Sequence, residues 1–305
     1  MSTVLITGGS GLVGRALSHL LKEKGYRVIV FSRNPAGPNM AHWDPSKGTY
    51  DAAAIAAADH IIHLAGAGVA DKRWSGKRKQ EIVESRTHSS ALLAKALKEI
   101  PNKVRSVIST SAIGWYGPDP AIPNEQPFEE STPANEEFLG ETCRLWEDAI
   151  HPVTALGKRL VILRVGIVLS KEGGALAEFR KPVKRGVAAI LGSGKQMISW
   201  IHVEDLCRLY LHAMENEQWQ GVYNAAAPQP VNNKTLTLAL AKRIKGRYFV
   251  QVYVPSFLLK ILLGEMSIEV LKSTTVGSKK VRREGFNFLY PSIDTALADL
   301  VPAAS

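Results

Sequence analysis

Apolar runs and helical patterns alternate through the first half of this chain. Runs at residues 3–7, 27–32, 41–43, 60–65, 104–110 and 160–165 read as strands, while 12–24, 77–99 and 139–156 carry helical spacing. Strand and helix in turn predict a doubly wound α/β fold, a parallel sheet with helices on both faces. After residue 170 glycine-rich loops (Glu172-Gly173-Gly174, Gly192-Ser193-Gly194) and shorter helices take over, and Gly221 to Ala226 reads as a brief strand. This change divides the chain into a first domain over 1–170, to which 195–226 returns, and a smaller C-terminal substrate lobe over 171–305. No repeat, low-complexity stretch or linker separates them, so the lobe is expected to pack directly on the domain and leave a cleft. The most apolar late segment, Val254 to Gly264, contains Lys260 and at about eleven residues is too short for a bilayer. It predicts a core helix.

Composition narrows the class. Of 305 residues 45% are hydrophobic and 22% charged, enough apolar material for a core and no sign of bulk disorder. The net charge of +10 is scattered over Lys72-Arg73, Lys77-Arg78-Lys79, Lys181 to Arg185, Lys242 to Arg247 and Lys279 to Arg283. Without a zinc-finger spacing or an aromatic–basic stripe, this charge reads as solvated faces with a minority serving an anionic ligand, and nucleic acid is not expected. Two cysteines, Cys143 and Cys207, are too few and too far apart for a disulfide framework, which suits a reducing cytoplasm. The chain enters its first strand at once, so neither a targeting segment nor a membrane partner is expected. Eight histidines lack metal-ligand spacing, and no metal is expected; His60 and His63, flanking an apolar strand, read as packed side chains.

Candidate chemistry starts at Thr7-Gly8-Gly9-Ser10-Gly11-Leu12-Val13-Gly14, where the first strand meets the first helix. Such a turn brings free backbone N–H groups and a positive helix end up to a diphosphate. Gly8 permits the tight turn, Gly11 lets the backbone approach the ligand, and Gly14 allows close packing of the helix. Gly25 stops the helix and Val28 to Phe31 forms the next strand, completing the βαβ unit that dinucleotide binding requires. An NAD site places Asp or Glu after that strand, about 20 residues past the glycines. Here Ser32-Arg33-Asn34-Pro35 stands instead. A guanidinium and a hydroxyl suit a 2′-phosphate, so NADP(H) is the expected cofactor; a solvated loop arginine is the plainer reading.

These residues resemble the extended short-chain dehydrogenase/reductases, a superfamily with a Rossmann fold. Besides the glycine turn, Asp59-His60-Ile61-Ile62-His63-Leu64-Ala65-Gly66 is similar to its fourth-strand motif. Ser109-Thr110-Ser111-Ala112 with Tyr116-Gly117 is similar to its serine block, and Trp200-Ile201-His202-Val203-Glu204-Asp205-Leu206 to its late motif. Ala70-Asp71-Lys72-Arg73-Trp74, Ser85-Arg86 and Gly192-Ser193-Gly194-Lys195-Gln196 narrow the resemblance to the atypical epimerase-family proteins of the YfcH type. The resemblance implies backbone contacts to the cofactor from Leu64, Ala65, Gly66 and Val168, a ribose contact from Glu81 and a phosphate contact from Arg86. An exposed helix charge pair is the other reading of Glu81.

One departure concerns catalysis. Active members use a tyrosine four residues before a lysine, and no tyrosine here has lysine at that spacing. Alignment on Trp146-Glu147 puts Leu139 at the tyrosine position and Cys143 at the lysine position. Ser111 and Tyr116 are then the candidate catalytic residues, Ser111 toward a substrate oxygen and Tyr116 as a phenolic donor. Packing roles are open for both. Gly192-Ser193-Gly194-Lys195 lacks the Ser or Thr of a phosphate loop and reads as a loop over the cleft, with Lys195 or Gln196 toward substrate. Asp205 is expected to start the following helix. Two functions stay open: an oxidoreductase or epimerase acting on a small polar or nucleotide-linked molecule in the interlobe cleft, and a redox sensor that binds NADP(H) without turnover. Relatives with long helices after the fourth and fifth strands often pair through them, so the resemblance implies a possible homodimer.

Overall fold

Side chains that alternate along each central strand decide the architecture. In β1 (Thr3–Thr7), Val4 and Ile6 point to one side and Leu5 to the other, and all are buried. A strand apolar on both faces is covered on both. The computed structural model describes residues 1–303. The first half runs α1 (Leu12–Glu23), β2 (Arg27–Ser32), β3 (Met40–Asp44), β4 (Thr49–Tyr50), α2 (Ala52–Ala57), β5 (His60–His63), α3 (Gly76–Glu99), β6 (Ser106–Ala112), α4 (Phe138–Ile150) and β7 (Arg159–Val165). It continues through β8 (Ile167–Ser170), β9 (Gly173–Gly174), α5 (Ala175–Lys184), β10 (Val187–Leu191), β11 (Met197–Ile198), β12 (Trp200–His202), α6 (Val203–Glu215) and β13 (Gly221–Ala225). The remainder is β14 (Val231–Asn232), α7 (Asn233–Lys245), β15 (Val250–Val254), α8 (Ser256–Leu263), α9 (Ser267–Leu271), α10 (Lys279–Arg283) and α11 (Ile293–Leu300).

The main sheet has the order β13-β7-β6-β5-β1-β2-β3-β4 and is parallel except for the β3–β4 pair. Val4, Ile6, Ile62, Ile108 and Val161 pack beneath α1 and α6, whereas Leu5, Ile61, Val107 and Ile162 pack beneath α2, α3 and α4. This is the doubly wound Rossmann arrangement that the alternation predicted. A third core joins Leu176, Val183, Leu236, Leu240 and Leu297 from α5, α7 and α11. β13 joins the main sheet and α6 packs on it. So does part of the C-terminal segment, since Val281 and Phe286 join the core under α1 and α6. Among the described residues no helix is long and apolar enough to cross a membrane.

Two expectations about helices need correction. The helix expected over 139–156 is α only to Ile150 and continues as 3₁₀ over His151–Leu156. Pro152, which lacks an N–H, stands at this change, and Gly157 ends the element at φ +71°. The segment expected as a core helix divides between β15 and α8. Leu259 is buried, but Phe257, Ile261 and Leu262 are 65%, 63% and 61% exposed. An eight-residue helix apolar all round buries only the side that meets the protein.

Some local readings match what is observed. His60 and His63 are buried, with ring nitrogens on Ser106 and Thr7 at 2.8 and 2.7 Å. Asp205, in the first turn of α6, also accepts from the backbone N–H groups of Leu289 and Tyr290 at 2.8 and 2.9 Å, which fixes the C-terminal segment to the main domain. Lys195 is exposed, while Gln196 is buried and donates to the Leu191 carbonyl.

Candidate functional site

The sheet order reverses at one place. From β1 the chain builds outward through β2 and β3, and later through β5, β6 and β7 on the other side. Ligands of such sheets bind at the carboxyl ends of the strands on either side of this switch, here between the turn after β1 and the end of β5. A separate cavity of about 430 Å³, lined by Ser2, Tyr26, His60 and Arg159, opens at the opposite, amino-terminal edge of the sheet.

The turn after β1 is built around backbone proximity. Gly8 has φ +69°, and a Cβ on it would lie 3.0 Å from the carbonyl carbon and oxygen of Leu64. The Gly8 carbonyl accepts from Gly11 N–H at 3.0 Å. A Cβ on Gly14 would fall 2.5 Å from Gly8 O and Gly9 Cα, so α1 closes on the turn itself. Gly11 caps α1 without a side-chain hydrogen bond, and no acidic residue occupies the first turn. The N–H groups at the start of α1, including those of Leu12 and Val13, are therefore suited to an anion. Thr7 Oγ1 accepts from the N–H groups of Leu64 and Ala65 at 3.2 and 3.3 Å, tying the end of β5 to this turn. Ser32 ends β2, Arg33 is exposed just beyond it, and no acidic residue occurs between Ser32 and Trp43. Trp43 is a packing residue, stacked on Phe31 at 4.8 Å between ring centroids. This cradle fits a dinucleotide by its free donors, its close backbone approach and its positive charge.

The other predicted residues are distributed around it. Val168 is half-buried on β8 and packs against the core under α1. Glu81 is exposed on α3 and forms an ion pair with Arg78 at 2.7 Å, whose hydrogen bond holds its carboxyl below the ordinary value. Glu81 is thus engaged in a helix charge pair. Arg86 is buried on the same helix, beside Gly66.

Both hydroxyls expected at the chemistry lie inside the protein and are already engaged. Ser111, Arg164 and Asn224 are register partners on β6, β7 and β13, so their side chains emerge on the same face. Ser111 Oγ donates to Glu147 Oε1 at 2.7 Å, and the Arg164 guanidinium grips both oxygens of Glu147. Arg164 Nη1 donates to the Tyr116 hydroxyl at 3.2 Å and to the Glu130 carbonyl at 3.1 Å. Its face lies 3.5 Å from the centre of the Trp115 ring. Tyr116 in turn donates to Asn224 Oδ1 at 2.6 Å, and its ring stacks on Phe128. Tyr116 is 0% exposed, and burial pushes its phenol up to about 12. A phenol so placed is a poor proton donor at neutral pH. Ser111 and Tyr116, the expected catalytic pair, thus both belong to a buried polar network.

Leu139 and Cys143 lie against the turn after β6, where a Cβ on Gly114 would stand 3.2 Å from Leu139 Cβ and 3.6 Å from Cys143 Sγ. Burial pushes the Cys143 thiol up to about 11, so it is neither a nucleophile nor a charged group at neutral pH. Sequence reasoning passed over Glu147, Arg164 and Asn224. Arg164 and Asn224 left a signal, a polar side chain within an otherwise apolar stretch; Glu147, beside the charged Arg144 and Asp148, left none.

Residues 4–226 match the model of the NAD dependent epimerase/dehydratase family, and residues 254–300 match a domain of unknown function, DUF1731. The chain is 34% identical over 304 residues to the epimerase family protein YfhF of Bacillus subtilis, covering 98% of this chain and 97% of that one. It is 32% identical over 302 residues to the epimerase family protein ML0860 of Mycobacterium leprae, covering 97% and 95%. The structure superposes on that of human epimerase family protein SDR39U1 with NADPH at a TM-score of 0.86, with 27% identity and 98% of both chains covered. UDP-N-acetylglucosamine 4-epimerase from Bacillus cereus, 15% identical, shares the fold at a TM-score of 0.77. A glycine cradle at the sheet switch point and a family match over most of the sequence agree: this chain belongs to the NAD-dependent epimerase/dehydratase family.

Proposed function

We propose that this chain binds NADP(H) in the crevice between the ends of β1 and β5, and acts as an oxidoreductase or epimerase on a small polar or nucleotide-linked substrate. One observation carries the choice of cofactor: Ser32 and Arg33, with no carboxylate nearby, follow the strand that leads away from the glycine turn. NADPH in the structure of the human relative supports the same choice. In this reading Gly8, Gly11, Leu12 and Val13 hold the diphosphate, Arg33 and Ser32 the 2′-phosphate, and Leu64, Ala65, Gly66 and Val168 line the path toward the nicotinamide. When bound, the cofactor gives or takes a hydride at the nicotinamide. The chain orients substrate beside it. With Ser111 and Tyr116 engaged elsewhere, the accompanying proton moves to or from solvent or the substrate itself.

The same engaged hydroxyls, with Leu139 and Cys143 on α4, favour a second reading: NADP(H) is held without turnover and reports redox state. Purified protein separates the two when NADPH binding is measured by fluorescence and NADPH oxidation is followed across carbonyl compounds and nucleotide sugars. Turnover with any of them supports the enzyme, binding without turnover supports the sensor, and failure to bind NADPH overturns both.

A further inference from the structure

We propose that the free edge of β15 receives β15 of a second copy of this chain, antiparallel and about a two-fold axis, to form a four-stranded sheet. β15 pairs in parallel with β10, from Val250 on Val187 to Val254 on Leu191, and among the described residues no strand takes its other edge. Val250 N–H donates to the Gly186 carbonyl, and the Val254 carbonyl accepts from Gly192 N–H, so both residues turn their backbone groups toward β10. Groups alternate sides along a strand. Those of Gln251 and Tyr253 therefore point outward, and among the described residues no partner takes them.

Proteins protect such an edge with charge, proline or a covering element. This one is bare. From Tyr248 to Leu259 no residue is charged, and Pro255 stands beyond the strand. Val250 and Val252 are exposed, and α8, which follows at once, leaves Phe257, Ile261 and Leu262 outside. Exposed apolar surface of this kind marks a contact site. The outward donors and acceptors call for another strand rather than lipid, since a bilayer core offers them no partner.

The edge is complementary to itself. With the axis at Val252, Gln251 of each copy stands opposite Tyr253 of the other, and four hydrogen bonds use every outward N–H and carbonyl of these residues. Val252 meets Val252 on the axis, a β-branched pair suited to a sheet. The same pairing carries Tyr248 to Ser256 and Arg247 to Phe257, so no like charges are opposed. Tyr248, Tyr253 and Phe257, exposed by 75%, 49% and 65%, bring roughly 300–450 Å² at the area an aromatic ring buries. The aliphatic side chains of β15 and α8 take the surface toward the ~800 Å² per partner of a standard interface.

Sedimentation equilibrium of the full chain from about 1 to 100 μM tests this. Wild type is expected to rise from the chain mass of 33.2 kDa toward twice that value. Val252→Lys sets two like charges on the axis and raises the dissociation constant by about tenfold or more. Gln251→Pro removes an N–H that the β10 ladder does not use, and has the same effect. Both keep the wild-type far-UV circular dichroism; if Val252→Lys does not, Gln251→Pro decides. Val252→Cys cross-links two copies under mild oxidation, because Cα atoms of such a pair lie about 4.5 Å apart, within reach of a disulfide. The two natural cysteines are buried. The proposal is overturned by a wild type that keeps the chain mass throughout, whether or not it sediments with vesicles of anionic lipid. It is overturned equally by a dimer that folded Val252→Lys or Gln251→Pro leaves intact, which would place the contact elsewhere, as on α3 and α4, or by a dimeric Val252→Cys that does not cross-link.

Discussion

Glu147 and Arg164 form a two-pronged ion pair inside the protein, with Nε on Oε1 at 2.8 Å and Nη2 on Oε2 at 3.0 Å. Leu139, Cys143 and Glu147 follow one another at four-residue spacing along α4, so the pair lies along the same helix face that carries the two departures from the active family pattern. Ser111 and Tyr116 are drawn into it from either side. The polar groups at this end of the sheet are spent on holding α4, β6, β7 and β13 together.

Breaking that pair on one side leaves a buried charge. Glu147→Gln is expected to lower unfolding stability by about 3–5 kcal/mol. The double variant Glu147→Leu/Arg164→Met recovers most of the loss, because neither charge remains to be desolvated. Urea unfolding of Glu147→Leu, Arg164→Met and the double measures the coupling; strictly additive losses would contradict it.

Tyr116→Phe removes the hydrogen bond to Asn224 and is expected to cost about 1–2 kcal/mol, with NADPH affinity and any turnover unchanged. The sign of its pH effect follows from burial, which raises the phenol from the ordinary 10.0 to about 12 in the folded protein. Its contribution is complete below pH 10 and fades as pH rises toward 12, where the unfolded chain ionises first. Alkaline unfolding curves of Tyr116→Phe should therefore be flatter than those of wild type, and loss of turnover in this variant would restore the phenol to catalysis.

His63 behaves in the opposite sense. Burial lowers its imidazolium from the ordinary 6.5 to about 4, and its ring is held between Thr7 and Ser90. Stability from this group is complete above pH 6.5 and is lost as pH falls through about 4, by on the order of 3 kcal/mol. His63→Asn should flatten the acid limb of the urea midpoint against pH; an unchanged limb would assign acid lability to other groups.

Arg33→Ala is expected to weaken NADPH binding by about 10- to 100-fold and to leave NADH binding unchanged, since only the first carries the 2′-phosphate. Equal losses for both coenzymes would remove the arginine from that phosphate.

Gly14→Ala places a methyl 2.5 Å from backbone atoms of Gly8 and Gly9 that have no room to yield. The variant is expected to lose about 1–3 kcal/mol of stability and most of its NADPH affinity. A titration showing normal affinity would mean that α1 can lift without disturbing the turn.

Some of this was legible residue by residue. Strand and helix periods arise from backbone geometry, so the alternation up to Val165 announces a parallel sheet, and glycines at 8, 11 and 14 announce a turn that tolerates no side chain. His60 and His63 could be read as packed because their neighbours are apolar. Glu147, Arg164 and Asn224 could not be assembled in this way. Their meeting depends on three strands in one register and on the angle at which α4 docks, neither of which has a local signature. The same holds for α8, whose apolar residues look alike in sequence until packing decides which side faces inward. Sequence alone determined which backbone could cradle a diphosphate, because that depends on consecutive residues. Tertiary structure alone decided that Ser111 and Tyr116 are engaged, because a hydrogen-bond partner is set by distance in space.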